Sequence, residues 1–257
     1  ARRIYARVMA DWYGAETEEA RRLKFHTQTA GQSLTAQQPL NNIVRTTIQA
    51  LAGVLGGTQS LHTNSYDEAL ALPSEKAVRV ALRTQQVIAE ESGAADIVDP
   101  LGGSFAVEAL TDEVEAKTMA YIEEIKEKGD GSVRDGVLTG IEGGYFQREI
   151  QDSAYEYQQR VEREEEVVVG VNKYTIEEDT RPDLLQVDKT VQERQRERLA
   201  EVKAERDEGA VEDALEHLRE RTEAGENVMP AVVEAVKAYA TMGEVMGVFE
   251  DEWGSYR

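Results

Sequence analysis

The chain of 257 residues carries 50 acidic side chains against 29 basic ones, a formal net charge of −21, with 40% hydrophobic residues and no cysteine. No apolar run approaches the roughly 20 residues a membrane helix needs, and without thiols there is no disulfide framework, thiolate nucleophile or cysteine-held metal. A field this negative repels phosphates, so the composition argues against nucleic acid as a partner, while the apolar content is enough to bury a core.

The chain opens in a helical pattern. Ile4, Tyr5, Val8, Met9 and Trp12 recur at helical spacing, with Arg2, Arg3, Arg7 and Asp11 opposite them. No capping residue precedes Ala1, and there is neither an initiator Met nor a signal-peptide pattern. The sequence is therefore expected to begin inside a longer protein, cytoplasmic by default. Arg22 to Gln28 reads as a short strand, and a polar loop with Gly31 and Ser33 follows it to Pro39. Asn41 to Leu55 reads as a helix with Ile43, Thr47, Ile48, Leu51 and Leu55 as its buried stripe, stopped by Gly56 and Gly57. Thr58 to His62 is a second short strand, and a short helix is expected near Asp67 to Leu72. Pro73 and Ser74 then start a long helix to about Glu91, with Ala77, Val80, Ala81, Thr84, Val87 and Ile88 inward and Gly93 as its stop.

Strand, loop and helix repeated within this stretch favour a parallel sheet or barrel, whose functional face is the one carrying the loops after the strands. Beyond Asp99-Pro100-Leu101-Gly102-Gly103 the pattern changes to long helices, at about 109–129, 143–164, 189–207, 209–224 and 229–240. Val167 to Val171 reads as a strand, and Leu184 to Val187 as a possible second one.

Chemistry-bearing motifs are few. There is no P-loop, G-x-G-x-x-G, G-x-S-x-G or H-x-x-x-H, and no metal ligand is expected in the chain. His217 sits in a charged helical stretch and reads as a surface histidine. His26 and His62 stand at two predicted strands, where a hydrogen-bonded core histidine and a functional one are both open readings. The distinctive feature is the density of amides and hydroxyls in His26-Thr27-Gln28-Thr29 and in Thr58-Gln59-Ser60-Leu61-His62-Thr63-Asn64. Uncharged donors and acceptors suit a site that holds a polar ligand while supplying few protons or nucleophiles.

Phe25-His26-Thr27-Gln28-Thr29-Ala30-Gly31, Asn41-Asn42-Ile43-Val44-Arg45-Thr46 and Gly57-Thr58-Gln59-Ser60-Leu61-His62-Thr63-Asn64 with Asp67-Glu68-Ala69-Leu70 resemble the methylmalonyl-CoA mutase family. Glu90-Glu91-Ser92-Gly93, Asp99 to Ser104, and Val169-Gly170-Val171-Asn172-Lys173-Tyr174 continue the likeness in order. The resemblance implies an α/β fold: residues 1–105 as the back half of a substrate-binding (β/α)8 TIM barrel, and 106–257 as a mainly helical extension. It implies an isomerase that uses adenosylcobalamin to interconvert methylmalonyl-CoA and succinyl-CoA by a radical 1,2-shift, the cofactor carrying the hard chemistry. Isobutyryl- and ethylmalonyl-type mutases, or a noncatalytic piece of a split mutase, are the alternatives.

By the same likeness His26, Gln28 and Gln59 match positions at the reacting end of the substrate. Gly31, Asn64, Glu68 and Ala71 match cofactor-binding positions, Glu68 toward the adenosyl ribose and Gly31 and Ala71 against the corrin. Gln32 departs from the pattern, since several family members have Trp there. The family's lower cobalt ligand lies in a D-x-H-x-x-G loop, and none of His26, His62 or His217 has Asp two residues before it. The implied partners are an acyl-CoA and a cobalamin-binding domain or small subunit, in a dimer or heterotetramer.

Of the basic residues 9 are Lys and 20 Arg, an acid-rich, Lys-poor balance that fits a halophilic surface. Repulsion among carboxylates is then the larger electrostatic effect, and salt screens it. The melting temperature should rise with added KCl in a thermal scan; a steady fall would contradict this reading.

Overall fold

The computed structural model describes residues 1–177, 184–185 and 188–255. Two compact units share the chain, 1–185 and 186–257. Helices dominate both, and the only sheet among the described residues is a parallel pair, so the fold is mostly helical α/β.

In the first unit, helix α1 (Arg2–Asp11) is held through its basic side. Arg3 pairs with Asp112 at 2.7 Å and Arg7 with Glu115 at 2.6 Å, while the Arg2 guanidinium lies 4.5 Å over the Phe25 ring. A short helix α2 (Glu18–Arg21) follows, where none was expected; Thr17 caps it by accepting from the Ala20 N–H. Strands β1 (His26–Gln28) and β2 (Ser60–His62) pair in parallel, His26 opposite Ser60 and Gln28 opposite His62. β1 begins later than Arg22, and the described strands do not show a barrel half. Helix α3 (Asn41–Leu55) is the crossover between them.

The bounds of α3 agree with the sequence pattern; its buried face does so only in part. Asn42, Thr46 and Ala50 are the buried residues, and Ile48 is 64% exposed. Ile43, Thr47, Leu51 and Leu55 of the expected stripe are half-buried and only Ile48 is exposed, because loop backbone, described below, takes up the Asn42 side of the helix. Tyr66 to Leu70 form turns, not the expected short helix. Helix α4 (Glu75–Glu91) starts where expected, with Ser74 accepting from the Ala77 N–H, and buries Ala77, Ala81, Thr84 and Ile88. Val87 is 47% exposed and so lies outside that face.

Helix α5 (Phe105–Glu127) is followed by α6 (Val133–Glu142) and α7 (Tyr145–Glu162), packed in sequence. The unexpected α6 carries Gly136 and Gly140, which weaken a helical reading. Here Gly136 is a packing device: a Cβ there would stand 1.9 Å from the Ile125 carbonyl oxygen. The run 167–171 is not a strand. It is a tight turn with one isolated bridge, Val169 to Lys173, and Gly170 at φ +85°. Leu184 and Leu185 lie outside any strand, and Gln186 and Val187 lie outside the described residues.

The second unit holds α8 (Lys189–Glu205), α9 (Glu208–Glu223), α10 (Met229–Lys237) and α11 (Met242–Trp253), the last not foreseen. Its core is Leu218, Ala231, Ala235, Val245 and Val248. Arg206, between α8 and α9, has a side chain only 4% exposed and donates to Glu208, Glu244 and the Tyr239 carbonyl. That pairing ties two helix junctions together. Glu244 also closes a capping box with Thr241. No helix among the described residues is long and apolar enough to cross a membrane.

The Arg206 guanidinium, helped by the Thr241 N–H and opposed by desolvation, holds the Glu244 carboxyl well below the usual carboxylate range. A folded value below the unfolded one means the stabilisation is complete above the ordinary carboxylate range, near pH 4.3, and is lost as pH falls through the folded value. Glu244→Gln should therefore lower the melting temperature by a few degrees at neutral pH, with the gap from wild type closing in acid. A gap independent of pH would contradict the assignment.

Candidate functional site

Because β1 and β2 run parallel, both release their loops from the same edge. In register, His26 and Gln28 share one exposed face of the pair with Ser60 and His62. Ser60 Oγ meets His26 Nδ1 at 2.7 Å, which holds the imidazole across the strands. Ser60 was not singled out from sequence, although strict alternation along β2 places it there. Gln59 precedes β2, and its Oε1 accepts from the Phe25 N–H at 3.0 Å. The structure thus brings His26 and Gln28 together, with Gln59 bound to the entry of the opposite strand.

Beyond the strands, the two loops are stitched to each other. The Thr29 hydroxyl donates to Asn64 Oδ1 at 2.5 Å and accepts from the Asn64 N–H at 3.0 Å; both residues are buried. Gly31, exposed, opens a 3-10 turn (Gly31–Ser33) directly above this pair. A Cβ on Gly31 would come 3.2 Å from Asn64 Nδ2, so the missing side chain is what leaves that amide room. Gln49 of α3 steadies the turn, accepting from the Ala30 N–H at 2.8 Å and donating to Ser33 Oγ at 2.7 Å.

The second loop is anchored by Asp67. Its Oδ2 accepts from the Ser74 N–H at 3.0 Å, and its carbonyl accepts from the N–H groups of Leu70 and Ala71. Asp67 is fully buried, which leaves its neighbour Glu68 exposed and Ala71 half-buried. Among the described residues, four buried side-chain atoms have no protein partner: Thr46 Oγ1, Asn64 Nδ2, Ser65 Oγ and Asp67 Oδ1. Three of them lie in one loop of four residues. Buried polar atoms are nearly always paired, so a concentration of this kind singles out the loop as a candidate for a further partner. Sequence reading named Asn64, Glu68, Ala71 and Gly31. It quoted Thr29 and Asp67 only inside longer strings, without a role, and did not name Gln49; the roles of all three rest on contacts between residues apart in sequence.

No cluster of three or more His, Asp or Glu able to hold a metal ion is present among the described residues. The arrangement offers neutral donors and acceptors, one exposed carboxylate and a surface without side chain at Gly31.

Thr29→Val keeps the volume but deprives Asn64 of both its bonds to that hydroxyl. Leaving two buried groups unpaired should cost about 2–4 kcal/mol in denaturant unfolding. A loss below ~0.5 kcal/mol would show that the pair does not hold the loops.

Comparison with known proteins places these features in context. The family model described as methylmalonyl-CoA mutase matches residues 1–255. The 2-hydroxyisobutanoyl-CoA mutase large subunit of Aquincola tertiaricarbonis is 48% identical, the match covering 100% of this chain and 45% of that protein. The methylmalonyl-CoA mutase of Rhizobium meliloti is 41% identical, covering 100% of this chain and 35% of its own length. The human mitochondrial methylmalonyl-CoA mutase is 40% identical, with 100% and 34% covered. The chain thus spans less than half the length of these relatives.

Proposed function

Since the chain belongs to the methylmalonyl-CoA mutase family, a family of enzymes, we propose that it is a catalytic segment of an adenosylcobalamin-dependent acyl-CoA mutase that interconverts methylmalonyl-CoA and succinyl-CoA by a radical 1,2-rearrangement. In this reading β1, α3, β2 and α4 belong to the back half of a (β/α)8 barrel ending near residue 105, and 106–257 is its helical extension. The partners are the acyl-CoA and a cobalamin-binding domain or small subunit, in a dimer or heterotetramer.

The observation that carries the reading is the unpaired, buried Asn64 Nδ2 beside the bare backbone of Gly31. The residues fit a corrin: a flat ring rimmed by amides needs close backbone approach and neutral hydrogen-bonding groups. Gly31, Asn64 and Ala71 would hold that ring, and Glu68 would accept from the adenosyl ribose. When bound, adenosylcobalamin supplies the radical chemistry, and the protein supplies position and shielding. His26, fixed at Nδ1 by Ser60, keeps Nε2 for the acyl end of the substrate, with Gln28 on the same face and Gln59 at its edge. None of these side chains is an ion pair, which suits a reaction that needs no strong acid or base.

A second reading has its own support. The relative at 48% identity is named for 2-hydroxyisobutanoyl-CoA and is a large subunit, which favours a 2-hydroxyacyl-CoA substrate and a separate small subunit. Mutase activity of the full-length chain should be measured with its cobalamin partner and adenosylcobalamin, on methylmalonyl-, 2-hydroxyisobutanoyl-, isobutyryl- and ethylmalonyl-CoA. The preferred ester decides between the readings; no turnover with any would point to a noncatalytic piece.

In that assay Glu68→Gln keeps shape but loses a charge-assisted hydrogen bond, worth roughly 1.5–3 kcal/mol. Turnover should fall about 10- to 100-fold while KM for the acyl-CoA barely moves. Normal turnover with weakened acyl-CoA binding would mean that Glu68 faces a different ligand.

A further inference from the structure

Arg45 is half-buried on the polar side of α3 and, among the described residues, forms no ion pair. In a chain with a net charge of −21 this is a pointed choice of partners. Its guanidinium donates to three neutral oxygens instead: Thr35 Oγ1 at 2.9 Å, Asn42 Oδ1 at 2.8 Å and the Val169 carbonyl at 2.7 Å. The first belongs to the loop after β1. The second belongs to a fully buried amide that also bonds the Thr35 N–H, the Thr35 carbonyl and the Tyr66 carbonyl, and so reaches the loop after β2. The third belongs to the 168–173 turn, more than 120 residues away along the chain.

That turn is built to present its carbonyl. Asn172 accepts from the Val168 N–H at 2.8 Å and donates to the Val161 and Glu166 carbonyls, which fixes the turn to the end of α7. Gly170 supplies the left-handed residue. A second strap runs beside the first, from Gln38 Nε2 to the Tyr174 carbonyl at 2.9 Å. The planar fork reaches the loop and the helix amide from one nitrogen and the distant turn from another, whereas an ammonium's three donors all radiate from a single nitrogen.

We propose that Arg45 is a positioning residue: it couples the 168–173 turn to the two loops that carry Gly31, Asn64 and Glu68, so the segment after α7 sets how those loops meet their ligand. The coupling rests on the chain's own contacts; its consequence for the cofactor rests on the function proposed above.

Arg45→Lys, which keeps the charge, and Asn172→Ala, which touches neither loop, test this in the intact protein by hydrogen exchange at the Thr35 and Asn64 amides. Both variants should speed exchange at both amides about 10- to 100-fold, the worth of one hydrogen bond to a charged group, while amides of α4 and α9 stay protected. The apparent affinity for adenosylcobalamin, read from its absorption spectrum, should weaken by a similar factor, with little change in KM for the acyl-CoA. Faster exchange at Thr35 alone, or an Asn172→Ala protein with both amides still protected, overturns the coupling. If Arg45→Lys does not fold, Asn172→Ala decides. Failure of the wild type to bind adenosylcobalamin refutes the proposed function instead, and leaves the coupling to the exchange result.

Discussion

The side-chain amide of Asn42 has two donors and two acceptor sites, and all four are used. Its oxygen takes the Thr35 N–H and Arg45, and its nitrogen serves the Thr35 and Tyr66 carbonyls, in a position with no exposure to solvent. A carboxylate there would set two lone-pair groups against carbonyl oxygens, and an apolar residue would strand three backbone groups. Loop backbone that leaves water must find partners somewhere, and the buried side of α3 provides them at Asn42, Arg45 and Gln49. The loops after β1 and β2 are both held by this helix face, in addition to the direct Thr29–Asn64 bonds between them. Gln49 of the same face steadies the turn that places Gly31 above the Thr29–Asn64 pair.

Two polar clusters in the chain illustrate opposite uses of the same chemistry. Around Arg206 the guanidinium meets two carboxylates and a carbonyl, and the result is a closed fastening between helix junctions. Around Asn64, Ser65 and Asp67 the protein leaves buried atoms without partners. A fully satisfied network stabilises; one left open costs stability and is retained where a ligand completes it. The contrast supports placing the functional site at the two strand ends and treating the Arg206 cluster as structure.

Much of this architecture was legible from residue patterns. Helix α3 shows in its apolar recurrence and its Gly56-Gly57 stop, α4 in Ser74 and its small inward residues, and the candidate site in two polar runs that the structure pairs as β1 and β2. The inward face of α3 was only partly legible: of the stripe Ile43, Thr47, Ile48, Leu51 and Leu55 all but Ile48 are half-buried, while the fully buried Asn42 is held by bonds to residues 35 and 66. Period alone cannot report a hydrogen bond to a distant loop carbonyl. The run 167–171 misled for a related reason: its valines carry strand propensity, but Asn172 satisfies the backbone locally and Gly170 turns it. Helix α6 was hidden by Gly136, whose value lies in the close approach to Ile125, a tertiary fact.

The central claim is that the open cluster at the ends of β1 and β2 is the cofactor face of an acyl-CoA mutase. A structure of the complete protein with adenosylcobalamin bound tests it most directly. The account predicts the corrin against Gly31 and Ala71, with Asn64 Nδ2 donating to the cofactor or to a water it holds. A corrin seated elsewhere, with Asn64 Nδ2 bonded within the protein, would contradict it.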